Sequence, residues 1–359
     1  MSIAAKFEIE YLQYMDAEGK LVRKDLPAFA KDLDHMVELY KLMVSTRVFD
    51  TKSIALQRTG KLGTYASCLG HEASHVGIGS AMQPEDVLCP SYREYGAQLY
   101  RGVKPRDVYT YWGGNEQGNN YQDEPAKHDF AWSVPIATQC LQAAGSALAF
   151  KIRKEKRVAV FTVGDGGSSK ADFWGAINIA GARDLPMVGV IINNQWAISV
   201  PRHLQSGAKT LAQKGIAAGI PSIQVDGNDI IAVRKAMGDA LDRARKDKGA
   251  SLIEMVTYRL GDHTTADDAR RYRDNEQVEE ARTKDPVKRL RAWLESSKAW
   301  NEKKEKAWLE ECDEWMDKEV NAYLETRPQP ISAMFDYTWA ELPEDLQRQR
   351  EQAIAAEEQ

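Results

Sequence analysis

The sequence predicts an α/β fold with a parallel sheet, and three observations carry the prediction. Two short β-branched apolar runs, Val158 to Val163 and Met187 to Ile192, end abruptly in polar residues, Gly164-Asp165-Gly166 and Asn193-Asn194. Strands buried on both faces read this way. Between them Phe173, Trp174, Ile177, Ile179 and Ala180 recur at helical spacing, with Ser168 and Ser169 as capping hydroxyls and Pro186 closing the segment. The alternation then continues, with a strand from Ile223, a helix from Ile230 to Arg245 and a strand from Ser251 to Tyr258.

The elements before this unit are read in order. Residues 1–33 mix charges with isolated aromatics and a turn at Asp16-Ala17-Glu18-Gly19, an extended arm expected to wrap over another surface. Met36, Val37, Leu39, Tyr40, Met43 and Val44 follow helical spacing in a helix running to about Arg58, stopped by Thr59-Gly60. A loop, Gly63 to Glu72, opens onto a helix of small residues, Ala73 to Met82. A short strand, Asp86 to Pro90, precedes Ser91-Tyr92-Arg93-Glu94-Tyr95-Gly96, read as the start of a helix. The polar loop Gly113 to Asn120 is expected to border the site, and an alanine-rich helix, Ala143 to Ile152, precedes the central unit. Beyond Asn275 the chain turns to charged helices, one begun by Pro286 and one capped by Asn301. Trp293, Trp300, Trp308 and Trp315 fall at intervals of 7, 8 and 7, read first as a packing stripe. The division expected is an N-terminal arm and helix over 1–45, a binding domain over 46–275 and a C-terminal helical region over 276–359.

Composition excludes several classes. A formal net charge of −5 over 359 residues, with both signs intermixed, carries no footprint for nucleic acid. No apolar run reaches a membrane span, and Lys6, Glu8, Glu10, Asp16, Lys20, Arg23 and Lys24 leave no signal-peptide core, so a cytoplasmic enzyme is expected. Cys68, Cys89, Cys140 and Cys312 are scattered without a C-x-x-C pair and read as reduced, buried thiols. His71 and His75, four apart on one helix face, have no acidic third ligand at matching spacing and are read as local hydrogen-bonding groups.

Neighbouring parallel strands place Asp165 and Asn194 side by side at one sheet edge. One carboxylate and one amide oxygen are hard ligands, too few for a full cage, so phosphate and water complete the shell of magnesium or calcium. Gly166 and Gly167 lead toward a helix N-terminus, which favours an anion. The residues thus point to a metal-bridged diphosphate. Tyr92 and Arg93 after a strand can grip phosphate oxygens, against the alternative that Arg93 pairs with Glu94 or Asp86. His263, in a polar loop after the last strand, is a candidate proton donor or phosphate partner. Oxygens around Pro135, with Ser133, Thr138 and Gln139, can surround a monovalent cation.

The spacing of 29 positions from Asp165 to Asn194 resembles the thiamine diphosphate motif. Extended through Gln195-Trp196-Ala197-Ile198-Ser199, the chain resembles, over almost its whole length, the alpha subunits of the first, decarboxylating component of 2-oxo acid dehydrogenase complexes. The resemblance implies a parallel-sheet thiamine diphosphate-binding fold. It implies Mg²⁺ held by Asp165, Asn194 and the Trp196 carbonyl, where the family usually has Tyr, with Gly164, Gly166 and Gly167 in the cofactor loop. It places Tyr92, Arg93 and His263 on the phosphates, with His263 assisting acyl transfer, and sets Val134 and Ile136 against the aminopyrimidine. Ser133, Pro135, Thr138 and Gln139 resemble the K⁺ loop of branched-chain members, Tyr65 matches a position on the substrate side, and Thr264 one phosphorylated in some relatives. The family implies an alpha2-beta2 tetramer, the catalytic glutamate on the beta subunit, and transfer to a lipoyl-bearing acyltransferase. Gly63 to Ala66, Gly70 to Ser74 and Thr210 to Lys214 resemble bacterial pyruvate dehydrogenase alpha subunits. The cation loop, Val225 to Asp229 and Glu305 to Trp308 lean toward branched-chain enzymes. Pyruvate is preferred and the branched-chain alternative stays open. A non-catalytic binding subunit is disfavoured by the intact Asp165, Asn194, Tyr92, Arg93 and His263 set. A dinucleotide-binding oxidoreductase is disfavoured because no G-x-G-x-x-G follows the first strand.

Overall fold

Six parallel strands form the central sheet of the computed structural model, which describes residues 1–132 and 134–357. They are β1 (Tyr11–Leu12), β2 (Val87–Cys89), β3 (Ala159–Gly164), β4 (Met187–Asn193), β7 (Ser222–Asp226) and β8 (Ser251–Val256), in the spatial order β1-β7-β8-β4-β3-β2. β5 (Trp196–Ala197) and β6 (Val200–Pro201) form a separate antiparallel pair just beyond β4. The predicted α/β class with a parallel sheet is the observed one.

β3 and β4 are mostly apolar because they feed two cores, one on each face. Ala159, Phe161 and Val163 of β3, with Met187 and Ile191 of β4, pack against the Thr138–Arg153 and Ala171–Ala182 helices. The alternate residues Val160, Val188, Val190 and Ile192 face the Leu33–Arg58, Glu72–Ala81 and Ile230–Arg245 helices. A third, aromatic cluster holds Phe49, Tyr65, Tyr95, Tyr109 and Trp132, closed by Met316 and Val320 of the Glu302–Leu324 helix. Asn301 caps its helix as expected, and Asp229 and Asp285 likewise each accept a first-turn amide. All four cysteines are free and buried. Trp293 and Trp300 are buried, and Trp308 packs partly buried on the same core. No helix among the described residues is long and apolar enough to cross a membrane.

Several local expectations differ from the structure. Ser168 and Ser169 do not cap the following helix: they lie in a 3-10 turn, Gly167–Ser169, and the capping position falls to Lys170, which makes no side-chain cap bond. Tyr92 and Arg93 precede a helix that begins at Tyr95. The arm closes on its own sheet, since β1 pairs with β7 and the Tyr14 and Met15 amides donate to Asp229 Oδ2. The Leu33–Arg58 helix runs unbroken through position 45. The loop at Gly113 turns toward the C-terminal helix, where a Cβ on Gly113 would lie 2.5 Å from the Tyr323 hydroxyl.

Candidate functional site at the carboxyl edge of the sheet

β3 and β4 pair with Gly164 opposite Ile192, so Asp165 and Asn194 leave neighbouring strands at the same edge. Beneath them opens a cavity of about 370 Å³ whose lining includes Tyr92, Arg93, Ile136, Gln139, Gly164, Asp165, Gly166, Gly167, Asn194, Trp196 and His263. Most of the residues read from the sequence are therefore gathered in one place. Val134 is exposed and does not line the cavity. Tyr65 is wholly buried, donates its hydroxyl to Asp50 at 2.8 Å, and does not line it either. Ser133 lies outside the described residues.

Asp165 is 2% exposed, and its Oδ2 has no hydrogen-bond partner among the described residues. Burial pushes its carboxyl up to about 6. Asn194 Oδ1 accepts the Trp196 amide at 3.2 Å, which leaves a second lone pair. The preceding Asn193 turns away and donates to Glu254 at 2.7 Å, fastening the end of β4. The glycines are close-approach positions: a Cβ on Gly166 would lie 2.6 Å from Ala197 Cβ, and one on Gly167 2.4 Å from Val163 Cγ2.

Opposite this turn Arg93 binds the Ser67 carbonyl and donates to the His263 carbonyl at 3.0 Å, with its Nη2 3.3 Å from His263 Nδ1. Burial first, then the Arg93 and Arg259 charges, hold the His263 imidazole down to about 4, so the ring is neutral at physiological pH. Because a guanidinium only donates, Nδ1 is the acceptor and Nε2 carries the proton, a tautomer assigned from this contact. Nε2 is thus a donor. Arg259 is 1% exposed; its Nη2 reaches the Ile198 carbonyl and the Tyr272 hydroxyl, while Nε and Nη1 have no partner among the described residues. Among the described residues neither guanidinium is hydrogen-bonded to a carboxylate, which disposes of the surface ion-pair alternative for Arg93.

The site has members that sequence reasoning did not assign. Glu94 lines the cavity with its carboxyl pushed up to about 7 by burial. His71 lines it too, with both ring nitrogens unpartnered and its basicity held well below normal by burial. The expected local hydrogen bonds of His71 and His75 are not made: neither ring has a partner among the described residues. Gln205 also lines the cavity, donating to the Gly166 carbonyl at 3.0 Å. Among the described residues no group of three or more His, Cys, Asp or Glu side chains forms a metal cluster. A cation here has one carboxylate and an amide, and an anionic ligand must supply the rest.

A parallel sheet whose carboxyl edge carries buried cations beside a hard-ligand pair defines a class of anion-binding α/β enzyme folds. The family model described as "Dehydrogenase E1 component" matches residues 40–331, and the chain belongs to that family. A curated protein named pyruvate dehydrogenase E1 component subunit alpha, from Staphylococcus aureus, is 39% identical over 348 residues, 97% of this chain and 93% of that protein. A protein of the same name from Acholeplasma laidlawii is 43% identical over 292 residues, 81% of this chain and 84% of its own length. The family resemblance read from the G-D-G and N-N residues is borne out.

Proposed function

We propose that this chain is the alpha subunit of a thiamine diphosphate-dependent pyruvate dehydrogenase (acetyl-transferring) component, holding the metal and diphosphate half of the site. The observation that carries the reading is the pairing, around one cavity, of the buried Asp165 carboxylate with an orphan oxygen and the buried Arg93 guanidinium, which has no carboxylate partner among the described residues. A magnesium diphosphate satisfies both at once. The donor set fits: Asp165 Oδ2 and Asn194 Oδ1 are the side-chain ligands, with the Trp196 carbonyl as third. Bound thiamine diphosphate supplies the carbon nucleophile and electron sink for decarboxylating a 2-oxo acid. Arg93 neutralises phosphate charge and orients His263, whose Nε2 proton is offered to a phosphate oxygen or, during acyl transfer, to the lipoyl group. The Gly166–Gly167 backbone approaches the ligand without a Cβ in the way.

The relatives' names support pyruvate as substrate. Exposed Ile136, Ile198 and Val200 at the cavity mouth support cover by a beta subunit, in an alpha2-beta2 assembly that passes its acyl group to a lipoyl-bearing second component. The reading includes K⁺ at Pro135, Thr138 and Gln139. Gln139 Oε1 is buried without a partner among the described residues, and the Thr138 hydroxyl already meets the Pro135 carbonyl at 3.0 Å.

The test is calorimetric titration of the chain, co-expressed with its beta subunit, with thiamine diphosphate in the presence and absence of magnesium, followed by decarboxylation of pyruvate against 2-oxoisovalerate. Magnesium-dependent binding and a clear preference for pyruvate are expected. Absence of binding sinks the cofactor reading, and comparable rates sink the substrate.

A further inference from the structure

Lys214 lies outside the cavity, yet it is 6% exposed and contacts the cofactor turn across 46 positions of sequence. Its ammonium donates to the Ser168 carbonyl at 2.7 Å, Ser168 Oγ at 2.8 Å and Ser169 Oγ at 3.4 Å, all neutral oxygens. Ser168 Oγ in turn donates to the Asp165 carbonyl at 2.6 Å. Gln205 holds the Gly166 carbonyl. With the carbonyls of Asp165, Gly166 and Ser168 occupied by side chains, the amide edge of the turn is the part left for a ligand. The ammonium lies over Phe173 and Trp174, 5.7 and 5.5 Å from the ring centres. A buried ammonium with no hydrogen-bonded carboxylate is costly unless an anion arrives to balance it.

We propose that Lys214 is a positioning residue for the diphosphate of the cofactor: it fixes the Gly166–Ser169 turn through Ser168 and places a positive charge behind it. This rests on the reading of that turn as the diphosphate site. It extends the site from the residues that touch the ligand to one that orients them, and removal of such a partner typically weakens metal binding about 10- to 100-fold. Burial holds the Lys214 ammonium down to about 8; Arg202 acts in the same direction, and Asp165 and Glu254 oppose it. An anion bound to the turn favours the protonated form. The contribution of Lys214 to affinity is therefore constant below about pH 8 and weakens above it, as free protein loses the charge.

The experiment titrates the assembled alpha-beta protein with magnesium and thiamine diphosphate, following heat rather than turnover. At neutral pH Lys214→Met raises Kd about 10- to 100-fold. Lys214→Arg, which keeps its charge at every accessible pH, binds within a few-fold of wild type and loses the weakening above pH 8. Equal affinity of Lys214→Met and wild type overturns the assignment, as does an unchanged alkaline loss in Lys214→Arg. The arginine variant decides the matter alone if the methionine variant fails to assemble. Absence of binding by wild type overturns instead the diphosphate reading beneath it.

Discussion

Asp165 and Asp229 stand at equivalent places, each just past the carboxyl end of a parallel strand, each no more than 2% exposed, each pushed up to about 6 by burial. Their surroundings differ completely. Asp229 takes the Tyr14 and Met15 amides on Oδ2 at 2.6 and 2.7 Å and the Ile231 and Ala232 amides on Oδ1 at 3.0 and 3.2 Å, tying the N-terminal arm and a helix to the sheet. Asp165 leaves Oδ2 without a partner among the described residues. Titration alone does not tell the two apart. What separates a structural carboxylate from one reserved for a ligand is whether the folded chain itself satisfies its oxygens.

The strongest way to break the comparison is to remove each carboxylate. Asp165→Ala is expected to weaken magnesium-dependent thiamine diphosphate binding by more than about 100-fold, a loss on the order of 3 kcal/mol, without lowering the melting of the cofactor-free assembly. Asp229→Ala is expected to do the reverse, costing about 2–4 kcal/mol of stability through four stranded amides and changing cofactor affinity only a few-fold. Calorimetry and urea unfolding on both variants read the two effects. Loss of affinity in both alike would end the distinction.

A pH series sharpens it. Both carboxyls bind protons more tightly folded than unfolded, so these two groups favour the folded cofactor-free state at low pH, and their contribution is lost as pH rises from about 4 through about 6. Each group is worth up to about 3 kcal/mol across that window. Asp165→Asn removes the penalty at one site, so without cofactor it should be about 1–3 kcal/mol more stable than wild type near neutrality. Asp229→Asn should be less stable, because its NH2 group meets amides that also donate. Urea midpoints at acid and neutral pH check both signs; a destabilised Asp165→Asn would mean that its oxygens have partners after all.

Gly167→Ala probes the same turn by volume. Its Cβ would lie 2.4 Å from Val163 Cγ2 and 3.0 Å from Ile136 Cγ2, and overpacking of this kind costs about 1–3 kcal/mol. Since Ile136 borders the cavity, an increase in cofactor Kd should accompany the drop in melting temperature. Gly175→Ala, whose nearest neighbour would be 3.9 Å away, is the control expected to show neither.

What the sequence reveals follows from the range of the interactions. The ends of β3 and β4 are legible because strand, turn and ligand residue are contiguous. Tyr92, Arg93 and His263 are legible by motif. Lys214, Gln205 and Arg259 are not, since each reaches the turn or its flanking loop from distant sequence through hydrogen bonds that leave no periodic pattern. Ser168 and Ser169 read as caps because hydroxyls before an apolar helix suit either a cap or a 3-10 turn, and in the 3-10 turn that forms Ser168 is held by the distant Lys214. Where the extended arm attaches is not legible because a two-residue strand is too short to show alternation, and its anchor is 215 positions away at Asp229.

Tyr65 carries the smallest effect and tests how far motif likeness extends. The motif assigns it to the substrate side. In the fold its ring stacks on Tyr95 at 5.3 Å between centres and its hydroxyl is one of three donors to Asp50, beside Ser67 Oγ and the Cys68 amide at 2.7 Å each. Tyr65→Phe keeps the stacking and leaves Asp50 two donors, so the expected cost is about 1 kcal/mol of stability. KM for pyruvate and cofactor Kd should stay within about twofold, because a change that small in binding is well under 1 kcal/mol. A several-fold rise in KM without a stability change would return Tyr65 to the substrate side. The opposite split would mark the Asp50 cluster as a scaffold that shapes the Ser67 loop, whose carbonyl receives Arg93.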